Sequence, residues 1–397
     1  MRIKMLREFI VSETTAGFCL FLAAVLAIIV DNSSWAHYYH DILHHVWTLH
    51  LHVVVLSKSI HHWVNDGLMT IFFLLVGLEI KRELFEGELS SLSQASLPGI
   101  AAIGGMVVPG MLYWIMNHTD STALRGWAIP TATDIAFSLG ILSLLGRRVP
   151  LSLKVFLMAL AIFDDMGAII IIAIFYTPHV HVYLLAGVAV MFGVLIVLNR
   201  LRIHALSLYL IIGAILWFCL LRSGVHATLA GILLAFTIPL NHHNTHRISP
   251  LHRLEHALNP WVAFLVLPLF AFTNAGINFS ELPLTQVLSA IPLGIFVGLF
   301  IGKQIGITGF AWLAIKCGVA RLPTGVKMSS LYGVSLLCGV GFTMSLFIGS
   351  LAFDSFSESY EALVRVGVIG GSLISGLLGY VILRCVSREP AASHSNA

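Results

Sequence analysis

The chain of 397 residues is 58 % hydrophobic and only 10 % charged, with a mean hydropathy of +0.92, which excludes a soluble domain, where charged residues make up about 25 %. A formal net charge of +3 is too small and, as shown below, too one-sided to mark a nucleic-acid partner. The five cysteines (Cys19, Cys219, Cys317, Cys338 and Cys385) are odd in number, scattered and free of any Cys-x-x-Cys, which excludes a disulfide frame and a metal knuckle.

At about 20 apolar residues per span, this length accommodates about twelve transmembrane helices. The expected fold is an all-α polytopic membrane protein, with one transmembrane domain over 1–389 and a disordered tail over 390–397. The first apolar run, Phe18 to Val30, follows a basic N-terminus and ends at Asp31-Asn32 without a small-x-small cleavage site, so it reads as a retained helix. Spans are predicted at about 13–31, 64–85, 96–116, 124–145, 151–176, 183–199, 205–220, 224–240, 257–274, 287–315, 328–352 and 362–384. With both termini inside, 17 of the 22 Lys and Arg residues fall on the inner face and four (Lys58, Arg125, Arg222, Arg365) on the outer, leaving Lys303 within a span. The outer segment 32–63 holds eight histidines, among them His37, His40, His44, His45, His50 and His52. They read as solvated loop residues, with a metal-binding tract as the alternative. Within it, Trp47-Thr-Leu-His-Leu-His-Val alternates with period two, which predicts a short extracellular strand able to pair with a second copy of the chain.

Charged residues inside the spans carry the functional signal, because a carboxylate in hydrocarbon costs roughly 2.5 to 3.5 kcal/mol even on the most permissive scale. Asp134 follows Pro130, Thr131 and Thr133 in the fourth span; proline frees a carbonyl four residues earlier, so free carbonyls, a hydroxyl and a carboxylate converge there as hard ligands for a small cation. A kinked helix with a satisfied aspartate is the plainer reading. The eleventh span repeats the anomaly with Gly339 and Gly341, whose helix penalty of about 2 kcal/mol together predicts a break. A close-packing glycine patch is the alternative there. Spans three to five and ten to twelve form two triplets of opposite orientation, each with a broken helix in the middle, the pattern of inverted repeats around a transport site.

Asp164 and Asp165 lie near the middle of span five. Adjacent helical residues point about 100° apart, so one is expected to face the cavity with Asp134 and the other a neighbouring helix. Lys303 lies too deep in span ten to snorkel to water, and needs an acidic partner or a wet cavity. It reads equally as a proton carrier or as half of a structural ion pair. At the inner surface Glu79, Arg82 and Glu83 share one helix face, and Arg253, Glu255 and His256 enter span nine. Such a charged helix end is ordinarily a solvated face, although His256 is of a type that titrates near neutral pH.

Five blocks then carry a resemblance: Ala-Ile-Pro-Thr-Ala-Thr-Asp-Ile-Ala-Phe (128–137), Phe-Leu-Met-Ala-Leu-Ala-Ile-Phe-Asp-Asp-Met-Gly-Ala-Ile (156–169), Ser-Gly-Val-His-Ala-Thr-Leu-Ala-Gly (223–231), Leu-Pro-Leu-Phe-Ala-Phe-Thr-Asn-Ala-Gly (267–276) and Cys-Gly-Val-Gly-Phe-Thr-Met-Ser (338–345). Nearly end to end, the chain resembles the NhaA-type bacterial sodium/proton antiporters. The resemblance implies two broken helices crossing near the midplane, and ion and proton binding by Asp164 and Asp165, with Asp164 first. It also puts Asp134 and Thr133 at the crossing, with Lys303 as the charge-compensating lysine. Glu79, Arg82, Glu83, Glu255, His256 and, separately, His226 would carry the pH response. His252 stands where the family pattern has a lysine, and Asn259 where it has a histidine, which implies a shifted pH profile.

The implied activity is electrogenic exchange of cytoplasmic Na+ or Li+ for external H+ in the bacterial inner membrane, activated at alkaline pH. The protein would serve sodium and pH homeostasis as a homodimer joined through the outer loop, with no cofactor beyond the transported ions. A passive cation channel and an intramembrane aspartyl protease are the rivals. The first is opposed by a lysine in the path, the second by the lack of Gly-x-Gly-Asp at either aspartate.

Overall fold

In the computed structural model, residues 2–51, 54–176, 181–240, 248–280, 282–354, 356 and 358–386 are described. Helix α1 (Arg2–Asp31) leads to a short outer helix α2 (Ala36–His44) and an antiparallel hairpin of β1 (Val46–Leu51) and β2 (Val54–Ser59), in register Val46 opposite Ser59 and Thr48 opposite Ser57. The period-two stretch at Trp47 is therefore a strand; its predicted end at His52 and Val53 lies outside the described residues, as does the predicted tail 390–397. Among the described residues, no three His, Cys, Asp or Glu are grouped so as to hold an ion.

The spans that follow are α3 (Ile60–Phe85), α4 (Leu92–Asn117), a 3-10 segment Ala123–Thr131 continued by α5 (Ile135–Leu144), α6 (Leu151–Phe175), α7 (Val182–Arg200) and α8 (Leu206–Ser223). After these come α9 (Leu229–Thr237), α10 (Pro250–Asn274), α11 (Ala290–Lys316), the bent pair α12 (Met328–Leu337) and α13 (Phe342–Phe353), and α14 (Glu358–Val386).

Eleven segments among the described residues, counting the bent pair as one, are long and apolar enough to cross a membrane, against the twelve expected. The shortfall is the predicted span 224–240. Gly224 at the end of α8 turns with φ +84°, and the helix that follows has only nine residues before Ile238 and Pro239 stop it. Its free carbonyls find side chains: Lys81 Nζ donates to those of Phe236 (2.7 Å) and Ile238 (2.6 Å), and Asn199 Nδ2 to that of Thr237 (2.6 Å). A buried helix end survives only with such partners.

Three helices contain a π turn: Val64–Leu68 in α3, Val262–Val266 in α10 and Gly298–Gly302 in α11. The last ends immediately before Lys303. Helix α11 packs on α4 so closely that a Cβ at Gly104 or at Gly306 would strike the carbonyl of the other, and this approach sets the depth at which Lys303 enters the core.

Candidate functional site

Both predicted breaks are present, and they cross. The 3-10 segment ends at Thr131, Ala132 and Asp134 are extended, and α5 begins at Ile135; the other break runs from Cys338 to Gly341, with a bend of 46° between α12 and α13. The crossing is stitched by Asp134 N donating to the Val340 carbonyl (2.7 Å), Ser138 Oγ to that of Leu337 (2.9 Å) and Ser345 Oγ to that of Ile129 (2.7 Å).

Two helix N-termini and two sets of carbonyl ends thus meet in a space without water-facing surface. Each N-terminus carries roughly half a positive charge and each carbonyl end roughly half a negative one. Asp134 answers the first pair: it caps α5 by accepting from Phe137 N (2.9 Å), and its other oxygen accepts from Thr343 N (3.0 Å) and Thr343 Oγ1 (2.5 Å) at the start of α13. Lys303 answers the carbonyl ends by donating to Thr131 O (2.7 Å). Thr343, Ser138 and Ser345 were not singled out from the sequence, although a Thr and a Ser directly after a glycine break are the residue types a new helix start needs.

The two adjacent carboxylates are not equivalent. Asp164 Oδ2 accepts from Lys303 Nζ (2.5 Å) and from Thr133 Oγ1 (2.7 Å), which also lies 2.9 Å from the Cys338 carbonyl. Lys303 and Asp164 are wholly enclosed. Asp164 Oδ1 and both oxygens of Asp165 are buried with no hydrogen-bond partner among the described residues. The lysine's partner is therefore Asp164, and Asp165 is the carboxylate left bare. A buried charge without a partner is destabilising by several kcal/mol, so Asp165 is stable there only when neutral or holding a cation.

The inner-surface cluster forms in part. Arg82 bridges Glu255 and Glu83, the latter at 2.8 Å, and Glu255 is 4 % exposed. Glu79, on the same helix, adds its charge to the field at Arg82. His256, by contrast, is exposed and has no hydrogen bond or ion pair among the described residues. Its place is taken by His252, which reaches Glu86 Oε2 at 3.4 Å and Ser249 Oγ at 2.7 Å. Spacing contains this signal: His252 is three residues before Glu255 and shares its face, whereas His256 is rotated by about 100°. His226 lies apart from this cluster, its Nε2 donating to the Tyr176 carbonyl (2.6 Å), while Tyr176 Oη donates to that of Arg125 (2.6 Å).

An all-α membrane protein whose unwound helices cross beside a buried lysine–aspartate pair and a bare carboxylate is a secondary transporter of small cations. The family model described as Na+/H+ antiporter 1 matches residues 7–383. The chain is 53 % identical over 384 residues to a Na(+)/H(+) antiporter NhaA of Bordetella parapertussis, covering 96 % of each sequence. It is 52 % identical to one of Rhodospirillum rubrum (98 % of this chain, 100 % of the relative) and 50 % to one of Vibrio cholerae (96 % and 97 %). The chain belongs to the Na+/H+ antiporter 1 family, and as a transporter it is not an enzyme, which removes the protease reading.

Proposed function

We propose that this protein exchanges cytoplasmic Na+ or Li+ for external H+ across the bacterial inner membrane, with both termini in the cytoplasm. The observation that carries the reading is the bare Asp165 carboxylate beside the Asp164–Lys303 pair. With a proton on Asp165, the ion pair leaves the site neutral. A sodium ion binding between Asp165 and the free Oδ1 of Asp164 must displace that proton, so proton and cation compete for one charge. Moving the loaded site from face to face then exchanges them. If this were all, one proton would return per cation.

Electrogenic exchange needs a second proton, and the Lys303–Asp164 pair holds one that a cation entering the site can displace by drawing Asp164 away from the ammonium. The membrane potential then contributes about 2.3 kcal/mol per charge per 100 mV. Alkaline activation follows in part from the same competition, since fewer protons oppose sodium. The bridge from Arg82 to Glu255, joining α3 to α10, is the inner-surface element on which further pH control would act. The outer edges of the β1–β2 hairpin pair with no further strand among the described residues, which supports a homodimer through strand pairing.

Everted vesicles energised to an acid interior test the reading. Adding NaCl or LiCl, but not KCl, is expected to alkalinise the interior increasingly from pH 6.5 to 8.5. No response from inserted protein at any pH would overturn it.

A further inference from the structure

The outer helix α2 has a face that ion exchange does not use. At about 100° per residue, Tyr39 and Leu43 turn into the protein and Tyr38 and Ile42 turn outward, which leaves His37, His40, Asp41 and His44 along a third face. His37 and Asp41 are engaged with each other at 3.1 Å. Further along, the rings of His40 and His44, one turn apart, lie nearly parallel at 18° with centres separated by 6.2 Å. A metal about 2.1 Å from one nitrogen of each of two imidazoles holds their centres about 5 to 6 Å apart, so a small rotation closes this pair on an ion. His40 is also oriented for that role. Its Nε2 lies 2.7 Å from Oδ1 of Asp31, the last residue of α1, which is 2 % exposed. A carboxylate accepts, so the ring proton sits on Nε2 and the lone pair of Nδ1 is left for a ligand.

An imidazole steered by a buried carboxylate is the arrangement that metal-ligating histidines use. Closeness of two rings is not enough: those of His61 and His62 are 6.0 Å apart but at 87°, and they turn to Asn274 and Asp354 instead. We infer that His40 and His44 chelate a divalent transition-metal cation of the zinc class, with Asp31 as the positioning carboxylate. Two ligands make an open site, with water completing the coordination, rather than a closed one of three or four. Paired imidazoles suit Zn2+, Ni2+ and Cu2+ and not the hard cations Na+ and Mg2+, which sets this site apart from the crossing in chemistry as well as in place. Because Asp31 ends α1, the bound metal fastens α2 to the first span. This inference stands independently of which ions the crossing carries.

The test uses the full chain without a polyhistidine tag, purified in a neutral detergent and stripped of metal with a chelator. Zn2+ is titrated in by calorimetry with Mg2+ in excess, and bound zinc is counted after gel filtration. The wild type is expected to hold one Zn2+ more than His44→Gln, a change at an exposed position that should leave the metal-free melting temperature unaltered. His40→Gln/His44→Gln should hold no less zinc than the single variant. Asp31→Asn should keep the wild-type stoichiometry and bind Zn2+ about 10-fold or more weakly. His61→Gln/His62→Gln should bind as the wild type does. Equal zinc content in wild type and His44→Gln, an unchanged affinity in Asp31→Asn, an equal loss in the His61/His62 variant, or displacement of the zinc by Mg2+ would each overturn the assignment.

Discussion

Asp134 and Asp165 are both enclosed carboxylates in the membrane core, and their surroundings are opposite. Asp134 accepts from three donors and ties the starts of α5 and α13 together; Asp165 accepts from none. A buried charge whose bonds are all made by the fold is scaffolding, because moving a ligand in would break them. A buried carboxyl with no bonds is destabilising on its own and gains from any proton or cation that arrives. Asp164 stands between the two cases, with one oxygen engaged and one free.

This contrast can be broken by experiment. Asp165→Asn should abolish exchange, by at least about 100-fold, the scale on which a proton-transferring group is lost, while leaving thermal stability equal or higher. Loss of folding together with activity would place Asp165 among the scaffolding instead. Asp134→Asn, the reverse case, should lower stability by about 2 to 4 kcal/mol through weakened charge-assisted bonds at two helix starts, measured by thermal unfolding. Any exchange that remains should still show sodium and protons competing. Replacing Lys303 by Arg keeps the charge in a guanidinium that never gives up its proton, so sodium–proton exchange in proteoliposomes should lose its dependence on membrane potential before it loses its dependence on pH.

Smaller effects sharpen the picture at the periphery. Cutting the inner bridge with Glu255→Gln should displace the pH midpoint of exchange and cost about 1 to 3 kcal/mol, whereas His256→Ala should leave both unchanged. At the outer end of α13, the hydrogen bond from His62 holds the Asp354 carboxyl below its usual range. A carboxylate depressed in the folded state stabilises above its unfolded pKa and loses that contribution as pH falls through the folded value. Asp354→Asn should therefore lower the melting temperature slightly at neutrality and flatten its fall below about pH 4, near the unfolded carboxylate value, so that variant and wild type converge in acid.

Much of this was legible in the chain, because membrane spans announce their exceptions. Pro130 and the Gly339/Gly341 pair located the breaks, and three aspartates and one lysine in apolar runs located the site. Which aspartate meets Lys303 was not legible: adjacent residues differ by a rotation that the packing of α6 and α11 on α4 fixes, through Gly167 against Met106 and Gly306 against Gly104. Backbone donors and acceptors, such as Thr131 O and Thr343 N, carry no residue-type signal at all. The shortness of α9 was not legible, because hydropathy registers neither the turn at Gly224 nor the Lys81 and Asn199 side chains that satisfy its carbonyl end.

The π turn at Gly298–Gly302 has a genetic consequence. Such a turn accommodates one residue more than an α-helix allows. Deleting a single residue within it would give an ordinary helix whose two halves keep close to their present facing, whereas the same deletion elsewhere in α11 would turn the half beyond it by about 100°. Here a one-codon deletion should yield abundant, folded protein that keeps Lys303 against Asp164, whereas the same deletion elsewhere in α11 should be purged as misfolded.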